Sequence, residues 1–111
     1  MKKDICNSQH YEISNEFKFF EYLSKATSTQ FSVLRVTLSG IHSKVKNIVS
    51  ERIYYVLDGQ GEIAVGEENY QVKAGDLVFV KPNEIHGLTG NMEYLVITSP
   101  PYTPENEITI E

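Results

Sequence analysis

Three histidines (His10, His42 and His86) and one cysteine (Cys6) are the residues of this 111-residue chain best suited to metal binding, acid–base or nucleophilic chemistry. Histidine titrates nearest neutrality and, with carboxylates, is the common ligand of divalent transition metals. A single cysteine excludes an internal disulfide, a CxxC redox pair and a multi-cysteine zinc cage. Cys6 stands near the amino terminus without an activating environment in its neighbourhood, so it is not read as a nucleophile.

The charged residues narrow the partners. Ten Lys and Arg against fifteen Asp and Glu leave a net charge of −5, which disfavours general binding to nucleic acid or to an anionic membrane surface. Nothing approaches the ~20 apolar residues of a spanning helix. Lys2 and Lys3 are followed by no apolar segment of a secretory signal, and with no disulfide possible the expected compartment is the cytoplasm. Between Tyr22 and Ser50 there is no acid, while Lys25, Arg35, Lys44 and Lys46 are present. That asymmetry describes either two solvated faces of opposite sign or a positive mouth that attracts an anionic small molecule.

The length suits one core. Residues 1–15 are polar and read as an irregular lead-in. Ser14, Asn15 and Glu16 then resemble a helix start, and Phe17, Phe20 and Leu23 follow at helical spacing, predicting one short helix through Lys25. An aromatic strand is the alternative for so short an apolar run. From Phe31 the pattern becomes strands: 31–38, 52–57, 62–65, 70–73, 77–80 and 94–98, separated by Gly40, Asp58-Gly59, Gly66, Gly75, Pro82-Asn83 and Pro100-Pro101. Short strands with turn signals every eight to twelve residues predict an all-β sandwich or barrel. The organisation expected is a lead-in with a short helix (1–30), a barrel (31–101) and an extended acidic tail (102–111), strapped over the barrel or mobile.

Two segments carry a family resemblance. Arg52-Ile53-Tyr54-Tyr55-Val56-Leu57-Asp58-Gly59-Gln60-Gly61, and Gly75-Asp76-Leu77-Val78-Phe79-Val80-Lys81-Pro82-Asn83-Glu84-Ile85-His86, resemble the two motifs of the small single-domain cupins. The resemblance implies a double-stranded β-helix, a jelly-roll barrel, with one short N-terminal helix. In the family the first motif, G-x5-H-x-H-x(3,4)-E-x6-G, supplies three metal ligands and the second a last histidine. Here Gly59 sets the register: seven residues earlier the glutamate position holds Arg52, and the histidine pair falls near Val45 and Asn47. His42 lies too far upstream for a one-residue slip. Only His86, eleven residues after Gly75, stands at a ligand position. An arginine cannot deprotonate to escape a metal's repulsion, so no metal and no other cofactor is expected at the family site.

What remains is a polar pocket. With Arg52 inward, Tyr54 and Val56 also face the lumen, while Ile53, Tyr55 and Leu57 face outward. Arg52, Tyr54, His86, Asn47 and Arg35 are the candidate ligand-binding residues. A buried arginine needs a partner, either an internal acid such as Glu62 or Glu84 or a ligand carboxylate or phosphate, unless its head reaches water at the barrel mouth. The expected function is therefore a metal-independent cupin that binds a small polar or anionic molecule, sugar-like or carboxylate-bearing. The alternative is a cupin-type enzyme, either a metal-free isomerase or epimerase with His86 as base and Tyr54 as acid, or a divergent metal enzyme. A barrel filled by its own side chains is a third. The resemblance also implies a homodimer, with Tyr55 or the aromatic segment from Phe17 to Tyr22 in the contact.

Overall fold

A computed structural model of the chain, which describes residues 1–110, is built from eight antiparallel strands in one sheet. They are β1 (Gln9–Glu12), β2 (Phe17–Leu23), β3 (Ser32–Asn47), β4 (Glu51–Val65), β5 (Glu68–Lys73), β6 (Leu77–Val80), β7 (His86–Ser99) and β8 (Glu107–Thr109). The order is β1-β2-β3-β7-β4-β5, with β6 on the first half of β4 and β8 on the second half of β3. The all-β jelly-roll architecture expected from the two motifs is the one observed.

Three strands of fourteen to sixteen residues, β3, β4 and β7, run through both halves of the barrel. They cross its corner side by side, where Gly40 faces Gly90 and Gly90 faces Gly61. Gly90 has φ +141°, and a Cβ there would lie 2.6 Å from the Gln60 carbonyl oxygen. The corner thus needs glycine both for its backbone angle and for the close approach of neighbouring strands. Inside, Val36, Leu38, Tyr54, Val56, Ile63, Leu88 and Tyr94 pack into one core.

Two local expectations are corrected. Asp58-Gly59 does not reverse the chain. The register slips there, Val56 facing Tyr94 and Asp58 facing Glu93, so Leu57 is an extra bulged residue and β4 continues to Val65. The segment Phe17–Leu23 is strand β2 and not a helix. Its Phe17 and Phe19 face Leu38 and Val36 and pack on the core, while Phe20 faces Arg35 on the outside. With aromatic residues on both faces, the segment fits either period, and pairing with the open edge of β3 decides it. The Ser14 signal belongs to the turn before β2, where Ser14 Oγ accepts a hydrogen bond from Glu16 N; the same side-chain chemistry serves caps and turns. The helical structure near the amino terminus is a 3-10 turn at Ile5–Asn7, capped by Asp4.

The two halves differ on their outer faces. In one, Ile41, Thr89, Glu62 and Gln71 form a mostly polar row. In the other, Val33, Ile97, Ile53 and Phe79 line up across four strands, beside a second row containing Leu95, Tyr55 and Leu77. Leu77 is 57% exposed and Phe79 45%. Among the described residues no helix is long and apolar enough to cross a membrane.

The corner makes a stability prediction. Gly90→Ala should destabilise the chain by about 2 kcal/mol or more. Gly66→Asn should be close to neutral, because Gly66 has φ +60° and open space around it. Urea denaturation of the two variants checks the contrast.

Candidate functional site

The site grows from the alternation of β4. Arg52, Tyr54 and Val56 are buried on the inner face, while Tyr55 is exposed outside. Arg52 faces Thr98 across the ladder with β7, and its Nε donates to Thr98 Oγ1 at 3.0 Å. Its other two nitrogens form a fork: Nη1 donates to Glu107 Oε2 and Nη2 to Glu107 Oε1, both at 3.0 Å. Glu107 opens β8 and faces Asn47 of β3; Asn47 Nδ2 also donates to Glu107 Oε1, at 3.2 Å. The acidic tail is therefore strapped onto the barrel and delivers the counter-ion of Arg52. Its last residue, Glu111, lies outside the described residues.

A second chain of contacts leads away from the arginine. Arg52 Nη1 lies 3.5 Å from the Tyr54 hydroxyl, which lies 2.9 Å from His86 Nε2. His86 Nδ1 is 3.1 Å from the Glu84 carbonyl oxygen. A carbonyl only accepts, so in the neutral imidazole Nδ1 carries the proton and Nε2 accepts from Tyr54. Burial lowers the His86 pKa, the Glu84 carbonyl opposing and Arg52 reinforcing, and burial raises that of Tyr54, against which Arg52 acts. Burial also opposes the charge on Arg52, but Tyr54 and Glu107 outweigh it and its pKa is raised. At neutral pH the site thus holds a salt-bridged Arg–Glu pair beside an uncharged Tyr–His pair.

A cavity of about 270 Å³ opens between β2 and the inner sheet. Phe17, Phe19, Leu34, Val36, Tyr94 and Val96 give it apolar walls, while His42, Arg52, Tyr54, Thr98, Tyr102 and Glu107 supply polar groups. His42 leans on Phe17, ring centroids 4.9 Å apart. Its Nδ1 is buried, and burial lowers its pKa against the opposing effect of the Ser43 backbone, so the imidazole is neutral.

Of the residues singled out from the sequence, Arg52 and Tyr54 line the cavity and His86 backs Tyr54. Asn47 is buried and does not line it; besides holding Glu107, its Oδ1 accepts from Val49 N and Ser50 N. Arg35 is not brought to the site: it lies on the outer face, paired with Glu93 at 2.9 Å and donating to the Tyr22 hydroxyl. Neither acid considered as a partner for Arg52 plays that role. Glu62 faces outward and accepts from Gln71, and Glu84 accepts from Lys81 N. Four polar residues of the cavity, His42, Thr98, Tyr102 and Glu107, are not among the candidates drawn from the sequence. His42 follows Val36 and Leu38 on the inner face by two-residue alternation, and the slip in register between His42 and Val45 puts it out of step with the inward Val45 and Asn47. Glu107 is brought in by pairing with β3, for which the local sequence carries no signal.

These residues do not fit the family's metal. Val45 and Asn47 occupy the inner face where the histidine pair is expected, and a bonded guanidinium stands at the glutamate position. His86 already commits both ring nitrogens. Among the described residues no group of three or more His, Cys, Asp or Glu is arranged to hold a metal ion.

The family model for the cupin domain matches residues 49–98. Solved structures agree over the whole chain: a nucleoside dehydratase, Pac13, superposes with a TM-score of 0.88 at 24% identity, over 100% of this chain and 91% of that one. This chain has a small cupin-type domain. The same Streptomyces protein has been solved with uridine as a tyrosine-to-phenylalanine variant, which superposes on this chain equally well at 23% identity over 100% and 90% of the two chains. KdgF from Halomonas superposes with a TM-score of 0.77 at 14% identity, over 85% of this chain and 89% of that one. At such identities the likeness concerns the fold. An uncharacterized protein of Methanocaldococcus jannaschii is 34% identical over 70 residues, 60% of this chain and 56% of its own. The match thus spans just over half of that relative.

The two depressed histidines make a pH prediction. Between their folded pKa values and the ordinary ~6.5, the unfolded chain binds more protons, so stability falls as pH falls through this window. The limit is about 1.4 kcal/mol per pH unit for each histidine. The thermal midpoint should drop from about pH 7.5 to about pH 5.5, and His86→Gln should flatten that slope.

Proposed function

We propose that this cupin is a metal-independent protein that binds a small polar, sugar-like molecule in the cavity beneath β2. The observation that carries the reading is the distribution of groups around that cavity: apolar walls that suit a ring, and a polar side formed by His42, Arg52, Tyr54, Thr98 and Glu107. At about 270 Å³ it falls just below the usual range of ligand pockets, about 300 to 1,000 Å³, which suits a small molecule. The uridine bound by the Streptomyces relative has the same combination of a planar ring and a hydroxylated sugar. The exposed thiol of Cys6 suits a reducing compartment, and we place the protein in the cytoplasm on that ground.

One observation favours an enzymatic variant of this reading. His42 lines the cavity, and burial keeps its imidazole in the neutral form that a general base requires; Tyr54, kept protonated by burial, lines the same cavity as a candidate acid backed by His86. A base and an acid around a hydroxylated ligand suit proton abstraction with loss of water, the reaction class named for Pac13, or an isomerisation. A thermal-shift panel of nucleosides and monosaccharides tests both versions. At least one compound should stabilise the native chain and not Val96→Phe, which fills the cavity; no response to any of them counts against binding. If the chain is an enzyme, His42→Gln should abolish turnover of that compound, followed by NMR, while retaining its binding.

We also infer that the apolar outer face pairs with a second copy. The same three strands carry a mostly polar outer row in one half and apolar rows in the other, which is wasteful unless the latter is covered. The apolar rows extend about 20 Å across the strands, enough to seat the centre of an interface of ~800 Å² per partner. Arg35 and Glu93 on that face neutralise each other, so it offers no net charge to an oppositely charged partner. A two-fold copy brings apolar surface to apolar surface. Sedimentation at about 10 μM should give twice the 12.6 kDa chain mass. Phe79→Glu should return a folded monomer, and a native chain that sediments as a monomer overturns the inference.

A further inference from the structure

Among the described residues Arg52 is the only permanent cation lining the cavity, and the natural expectation for such a group is an anionic ligand. Its bonding contradicts this. Of the five guanidinium N–H groups, one points to Thr98, one to each oxygen of Glu107 and one to Tyr54. The two-pronged edge that would clasp a carboxylate or phosphate is already closed on a carboxylate of the chain itself. Glu107 is also firmly seated. Asn47 holds its side chain, β8 pairs with β3 from Glu107 to Thr109, and Asn106 accepts from Ile48 N just before it. The pair is well shielded, Arg52 side chain 6% exposed and Glu107 15%.

The free valences are of the opposite kind. Each carboxylate oxygen can accept two hydrogen bonds, and Glu107 Oε2 receives one, from Arg52. The Tyr54 proton is directed to His86 and so is not offered to an anion. An anion entering the cavity would meet the Glu107 charge with no free fork, whereas a hydroxyl would find an acceptor.

We propose that Glu107 sets the charge selectivity of the cavity: by filling the Arg52 fork it excludes carboxylate- and phosphate-bearing molecules and admits neutral molecules that donate hydrogen bonds. This deepens the reading of the cavity as a ligand site and rests on it. Glu107 is a specificity determinant delivered by the C-terminal strand, and the fork beneath it is a latent anion site.

Acetate and acetamide, nearly identical in shape and different in charge, probe the fork directly. At about 100 mM and constant ionic strength, acetate should raise the thermal midpoint of the native chain no more than acetamide does. Glu107→Ala should melt lower, and acetate should raise its midpoint by at least about 3 °C where acetamide does not. Should Glu107→Ala fail to fold, Glu107→Ser, which also empties the Arg52 fork but leaves a polar group at the start of β8, carries the same comparison. Acetate stabilising the native chain as much as the variant, or the variant responding equally to both compounds, overturns the proposal. These readouts report on the fork itself and so stand whatever the panel of nucleosides and sugars yields. A panel without a binder would defeat the ligand reading, and a missing acetate response would defeat the selectivity.

Discussion

A guanidinium buried inside a β-barrel is the constraint around which the rest of this structure is arranged. Arginine cannot shed its charge, and an isolated buried charge is prohibitively unfavourable, so residue 52 can point inward only where an anion meets it. The anion comes from Glu107, fifty-five residues later in the chain. The C-terminal strand must therefore dock on β3, Asn47 must face it, and Thr98 must stand opposite Arg52 on β7 to take the remaining nitrogen. A tail that reads as loose and acidic becomes an integral part of the interior.

The glycine corner makes this convergence possible. Because β3, β4 and β7 each cross it without interruption, a single strand carries residues of both halves, and side chains far apart in sequence arrive at one lumen. Tyr54 on the first half of β4 reaches His86 at the start of β7 only because the sheet folds over at Gly61 and Gly90. The same continuity explains why one outer face of these strands is apolar and the other mostly polar. The inner faces are fixed by packing in both halves, which leaves only the outer positions free to record what each half meets outside.

How much of this was legible depended on whether the cause was local. Inward Arg52, Tyr54 and Val56 follow from two-residue alternation, which holds as long as a strand is regular. Where a bulge intervenes, parity fails. His42 sits across one from Val45, and a reading that counts residues dismisses it. Asp58-Gly59 is another bulge, and its composition is indistinguishable from that of a hairpin turn. The aromatic segment after Ser14 satisfied helical and strand periods alike, and only the open edge of β3 discriminates between them. Arg52 was recognisable as a charge in need of a partner, but the choice among Glu62, Glu84 and Glu107 is a tertiary question. Glu62 and Glu84 have local engagements with Gln71 and Lys81, which the distant Glu107 lacks.

An internal ion pair gives a lumen a different chemistry from that of a metal centre. A dication would lower the pKa of its ligands and attract anions. The Arg52–Glu107 pair has no net charge, and beside it burial holds His42, Tyr54 and His86 in their neutral forms. Neutral imidazoles and a protonated phenol are proton acceptors and donors at physiological pH without any metal to activate them. The pair also supplies a dipole in a poorly screened interior, held in place by side chains of β3, β4, β7 and β8. The constraint that began as a problem of burying Arg52 thus ends as preorganised polarity on one side of an otherwise apolar cavity.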